Sequence, residues 1–149
     1  MKIAIGCDHG ALDLKNAIQK HLLSEGYEVI DCGTYTLDSV HYPTYAFDVA
    51  TKIKDKQVDK GIVCCTSGEG VMICANKVKD VRCGMGYNDD VTRLSVEHNN
   101  ANCIAFGAKY MDIEDCIRRT DIFLNAEFLG GRHKLRVDMI SDYEKHNCK

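Results

Sequence analysis

The sequence has a single proline, no tryptophan and no stretch rich in Ser and Gly. Nothing in it reads as a linker or a disordered tail, so residues 1–149 are expected to form one domain, long enough to bury a core. Basic residues are not in excess: 19 Lys and Arg face 22 Asp and Glu, and a net charge of −3 excludes nucleic-acid binding by bulk electrostatics. No apolar run approaches the roughly 20 residues that span a bilayer. The run in MKIAIGCDHG is also too short for the apolar region of a signal peptide. The expectation is a cytoplasmic protein with no nucleic-acid or membrane partner.

Also missing are the spacings by which cysteines hold a metal. Zinc sites draw ligands from C-x-x-C pairs, and none occurs among the nine cysteines, which run from Cys7 to Cys148. Their odd number, in a chain of this length without an export signal, argues against a disulfide framework. Most are expected to be reduced and buried as small hydrophobes. No metal is expected. A cysteine with another role has to be identified by its position.

What is present is an alternation of short apolar runs and helical patterns. Strands are expected at 2–7, 27–33, 58–65, 81–86 and 102–108, and helices at 11–26, 43–56, 68–78, 88–98, 112–128 and 132–147. Leu14, Ile18 and Leu22 recur at helical spacing, and Gly26 follows where a glycine ends a helix. Pro43 suits a first helical turn, and Asp89 and Asp90 suit the positive end of the helix they begin. Five strands alternating with helices imply an α/β fold with a parallel sheet covered on both faces. In such sheets ligands bind beyond the carboxyl ends of the strands. Those ends carry Cys7-Asp8-His9, the Gly33 loop, Cys65-Thr66-Ser67-Gly68 and Gly86-Tyr87-Asn88.

The stretch GIVCCTSGEGVMICANK places two cysteines at the lip of a glycine-rich turn from strand to helix. The amides of Thr66 to Gly70 and the helix they open form a site for an anion, a phosphate or a reaction oxyanion, although many α/β proteins carry such a turn without a ligand. It is neither a P-loop nor a dinucleotide fingerprint. Strand alternation sends Cys64 and Cys65 to opposite faces, so only one meets the turn. Cys65, last in its strand, is the candidate base or nucleophile; Cys64 is expected to pack. A cysteine phosphatase needs an arginine six residues on, where Val71 stands. Asp8 and His9 follow the first strand. His98 and Asn99 end a helix, where both could simply cap it. Arg132 and Arg136 share a helix face and could hold a phosphate, or be a solvated basic face. His133 points about 100° away from Arg132 on a helix.

Taken in order, IAIGCDHG, GYEVIDCGTY, YPTYA, GIVCCTSGEG with ANK, EHNNANCIAFG and GGRHKLRV resemble the ribose-5-phosphate isomerase type B family, which includes galactose-6-phosphate isomerase subunits. The resemblance runs over essentially the whole chain. It implies a Rossmann-like three-layer sandwich with a five-stranded parallel sheet, its C-terminal helix packing on a partner subunit. It also implies cofactor-free interconversion of ribose 5-phosphate and ribulose 5-phosphate through a cis-enediolate. By resemblance, Cys65 is the proton-shuttling base, assisted by Ser67, and the amides of Thr66, Gly68 and Gly70 hold the enediolate oxygens. His98 opens the furanose ring. Asp8, Tyr42 and Asn99 contact the sugar, and His9, Arg132 and Arg136 hold the phosphate. Lys109 stands where many members have an arginine reaching a neighbour's phosphate. A homo-oligomer, dimer or tetramer, with shared sites is implied. Thr66 and Glu69 depart from the family pattern, and His41 precedes Tyr42-Pro43 where an aspartate is commoner. Six-carbon sugar phosphates and a non-catalytic sugar-phosphate sensor therefore stay open as alternatives. Glu69 is expected to point away from substrate.

Overall fold

In the computed structural model, which describes residues 1–147, five strands form one parallel sheet in the order β2-β1-β3-β5-β4. They are β1 (Lys2–Cys7), β2 (Glu28–Asp31), β3 (Lys60–Cys65), β4 (Cys83–Met85) and β5 (Cys103–Gly107). Between and after them run α1 (Leu12–Ser24), α2 (Tyr42–Lys54), α3 (Glu69–Asn76), α4 (Asp89–Glu97), α5 (Ile113–Asn125) and α6 (Arg132–Asn147). This is the expected Rossmann-like α/β sandwich. Among the described residues no helix is long and apolar enough to cross a membrane.

Alternation along the strands builds two cores. Ile3, Ile5, Ile62, Cys64, Ile104 and Phe106 pack with Leu14, Ile18 and Leu22 of α1, Val96 of α4 and Phe123 of α5. Ala4, Val63, Cys65 and Ala105 face the other way, onto Val49 and Ile53 of α2 and Val71 and Cys74 of α3. The three central strands, β1, β3 and β5, are buried on both faces, which is why their sequences read as nearly continuous apolar runs, while the edge strands β2 and β4 are only partly buried. Seven cysteines are buried and Cys32 partly so, all as free thiols; Cys148 lies outside the described residues. α6 is the exception to this packing, since only its Val137 is buried.

Element ends differ from the sequence-based expectation where local polar groups take over. β2 stops at Asp31 because Gly33, at φ +89°, turns the chain, although Cys32 and Gly33 still bond to β1. β4 begins at Cys83 rather than residue 81, because the Arg82 and Cys83 amides donate to the side chains of Asn102 and Asn76. α2 ends at Lys54, and Lys56 follows at φ 58°. α5 ends at Asn125 rather than 128, since Ala126 is extended. Pro43 does lie in the first turn of α2, and the Asn88 side chain caps α4 by accepting from the Val91 amide at 3.1 Å. The left-handed residue after α4 is Asn100, at φ 50°, so Asn99 does not serve as that cap.

One side chain breaks the hydrophobic pattern. Lys15 of α1 is fully buried, and its ammonium donates to Asp31 Oδ1 at 2.7 Å, Asp31 Oδ2 at 2.9 Å and the Thr34 carbonyl at 2.8 Å. It joins α1 to the chain leaving β2, which in turn bonds the end of β1 through Cys7 N–H to Gly33 O and Thr34 N–H to Cys7 O. The carboxyl end of β1 is thus fixed from both sides.

Candidate active site

β3 delivers Cys65 to the sheet's carboxyl edge, opposite Gly107 of β5. Its neighbour Cys64 is fully buried in the other core, and burial holds that thiol well above its ordinary range, as a neutral packing group. Cys7 is likewise pushed up by burial, to about 11. Cys65 differs in what it meets. The Gly68 amide donates to its sulfur at 3.1 Å, within the glycine-rich turn. Gly68 has φ +83° and lies against Met85 and the Phe106–Gly107 backbone, so no other residue fits this turn. Glu69 then opens α3, and helix geometry leaves the Gly70 and Val71 N–H groups without an acceptor in the helix.

Around this turn the structure gathers several of the residues singled out in the sequence. The Ser67 hydroxyl accepts from the Glu69 amide at 3.2 Å, and the Lys109 amide donates to the Thr66 carbonyl at 3.0 Å. The ring of Tyr42, at the start of α2, lies over Gly70, where a Cβ would come within 2.6 Å of it. Asp8 is buried at the end of β1 and holds the Gly10 amide at 2.9 Å. The Thr66 hydroxyl packs so closely on Gly10 that any side chain there would collide with it. His9 begins the short 3-10 turn before α1, and its Nδ1 accepts from the Val40 amide at 3.1 Å. Beside it a cavity of about 330 Å³ is lined by Gly10, Leu12, Asp13, Leu37 and Ala108. Glu69 is exposed. Among the described residues no group of three or more His, Cys, Asp or Glu is placed to hold a metal ion.

The other singled-out residues lie elsewhere in the chain. α4 runs back from the carboxyl edge, so His98 and Asn99 sit near the start of β5, on the opposite edge. There the rings of His98 and His133 stack, with centroids 4.1 Å apart and planes 10° from parallel. Loss of water around His133, then the positive charges of His98, Arg132 and Arg136, holds its imidazole below the usual histidine value. Asn99 lines a cavity of about 340 Å³ with Arg82, Ser95, Ile140 and Glu144. Arg132 and Arg136 are exposed on α6. Within one chain the expected site is therefore in two halves: Cys65, Ser67, Asp8, His9, Tyr42 and Lys109 on one edge, His98, Asn99 and the α6 arginines on the other.

His133 is the residue that sequence reasoning set aside. The helical offset from Arg132 says only that the two side chains diverge. What decides its neighbour is the approach through Gly130 and Gly131, at φ +69° and +57°, which no helical wheel contains. The Val40–His9 contact, 31 residues apart, had no signal in the sequence.

Comparison with known proteins identifies the family of the chain and agrees with its fold. The family described as Ribose/Galactose Isomerase matches residues 3–140. The Escherichia coli ribose-5-phosphate isomerase B is 40% identical over 97% of either chain. The structure of Clostridium thermocellum ribose-5-phosphate isomerase B superposes with a TM-score of 0.96 at 44% identity, over 98% of this chain and 99% of that one. The Mycoplasma genitalium ribose-5-phosphate isomerase B, solved with bound ribulose 5-phosphate, gives a TM-score of 0.94 at 38% identity, over 98% and 97%. The chain, from its motifs to its sheet order, belongs to the ribose/galactose isomerase family.

Proposed function

We propose that the protein interconverts ribose 5-phosphate and ribulose 5-phosphate. The observation that carries this reading is a thiol, Cys65, at the mouth of an amide-lined turn and in contact with the Gly68 N–H. Isomerising an aldose to a ketose requires one base that moves a proton between adjacent carbons and donors for the oxyanion formed between them. Cys65 takes the proton from C2 of the open-chain aldose and returns it to C1. The amides of Thr66 to Gly70 receive the enediolate oxygens, and the Ser67 hydroxyl assists. Asp8 and Tyr42 hold the sugar hydroxyls, while His9 and Lys109 take the phosphate.

Ring opening by His98, sugar contact by Asn99 and phosphate contact by Arg132 and Arg136 come from the opposite edge of a second copy. The exposure of Leu135, Met139, Ile140 and Tyr143 on α6 supports this, because so much apolar surface on one helix suits a face covered by another subunit. The assay is kcat/KM on ribose 5-phosphate against allose 6-phosphate and galactose 6-phosphate, without added metal. The five-carbon sugar is expected to be preferred by roughly tenfold or more, the scale of one mismatched carbon in a fitted pocket. A six-carbon preference moves the assignment to the other branch of the family, and tight binding without turnover makes the chain a sensor.

A further inference from the structure

The Val40 amide does more than close the loop between β2 and α2. A backbone N–H can only donate, so the Nδ1 that accepts from it at 3.1 Å presents a lone pair, and the proton of neutral His9 is on Nε2. We infer that this loop is a positioning element that holds His9 as the Nε2–H tautomer, so that its free nitrogen donates to the substrate's phosphate. The inference rests on the phosphate role proposed for His9. With the opposite tautomer, Nε2 would turn a lone pair toward an anion and repel it.

The loop is built to hold that amide still. Its first residues are bound to β1 by Cys32 N–H to Ile5 O at 2.8 Å and Thr34 N–H to Cys7 O at 2.8 Å, and the buried Lys15 ammonium holds the Thr34 carbonyl. Its far end enters α2 one residue after His41. His9 is fixed from its own side by the Asp8 turn. Leu37 of the same loop walls the cavity beside His9 at the start of α1. Ring orientation and proton position are thus set by one segment that need not touch the phosphate.

The test reads the tautomer directly. Long-range 1H–15N correlation spectra of the labelled free protein, with His9 assigned by its loss in His9→Gln, are expected to show Nδ1 unprotonated and Nε2 protonated. A predominant Nδ1–H form, or an even mixture, overturns the inference. Val40→Pro removes the amide, whereas Val40→Ala keeps it. Titration with inorganic phosphate is expected to give about tenfold weaker binding in Val40→Pro, the scale of one hydrogen bond to a charged group, with a redistributed tautomer. Val40→Ala should match wild type. Equal weakening in both variants would assign the effect to loop packing and overturn the inference; if Val40→Pro does not fold, the wild-type tautomer still decides. These readouts need no turnover. A protein that fails to isomerise ribose 5-phosphate yet shows the Nε2–H form and binds phosphate loses the functional reading and keeps this one.

Discussion

Cys65→Ala is expected to lower kcat for ribose 5-phosphate isomerisation by about 10²–10⁴-fold, the usual contribution of a positioned general base, with the fold retained. The substitution removes one sulfur from a side chain that is 5% exposed, together with its contact to the Gly68 amide, while the close packing of Gly68 on the Phe106–Gly107 backbone remains. Substrate affinity should change little, because the phosphate and hydroxyl contacts are made by other residues. Cys64→Ala is the matched control. It should cost on the order of 1 kcal/mol of stability, as a small cavity in the core does, and leave kcat unchanged. Mixing Cys65→Ala with His98→Ala subunits should restore activity that neither has alone, if two copies complete each other's sites. Near-full activity in Cys65→Ala would remove the cysteine from the chemistry. Inactive mixtures with intact exchange of subunits would return His98 to a structural role.

Lys15→Met is expected to destabilise the protein by about 3–5 kcal/mol, the cost of leaving one partner of a buried ion pair without the other. Lys15 has no exposed surface, and its partner Asp31 keeps only 23% of its side chain in contact with solvent. Removing the ammonium strands a carboxylate and the Thr34 carbonyl at once. Asp31→Leu combined with Lys15→Met should recover part of the loss, because two apolar groups need no counter-charge. Recovery should be incomplete, since Asp31 Oδ1 also receives the Gly33 amide. The shift in urea midpoint at constant slope measures both. A loss below about 1 kcal/mol, the scale of an exposed pair, would mean that the ion pair contributes little to the fold.

The elements were legible because their signals are local. Both-face burial gives continuous apolar strands, helical spacing gives α1, and Pro43 and Asp89 mark where helices begin. The split of Cys64 from Cys65 followed from side-chain alternation alone, and the two cores bear it out. The boundaries were less legible because they depend on distant partners, such as the Asn102 and Asn76 side chains that set the start of β4. Lys15 was hidden for the same reason: a lysine in an amphipathic helix reads as surface unless Asp31 and Thr34 are known to face it. Of the carboxyl-edge residues, Asp8, His9, Cys65 and Ser67 followed from strand ends, while Tyr42 and Lys109 came only from the family resemblance. Nothing local in the sequence says that His98 and the α6 arginines sit on the far edge, or that His133 stacks on His98; only the topology does.

The central claim is a proton transfer on a sugar phosphate, and one measurement tests it most directly. Ribose 5-phosphate is incubated with the purified protein in D2O containing a chelator, and the product is followed by NMR. The account predicts ribulose 5-phosphate carrying deuterium at C1, since a thiol that collects the C2 proton exchanges it with solvent before returning it to C1. Ketose formed with no deuterium at all would indicate direct hydride transfer, and no ketose at all would contradict the assignment of Cys65 and its turn to this chemistry.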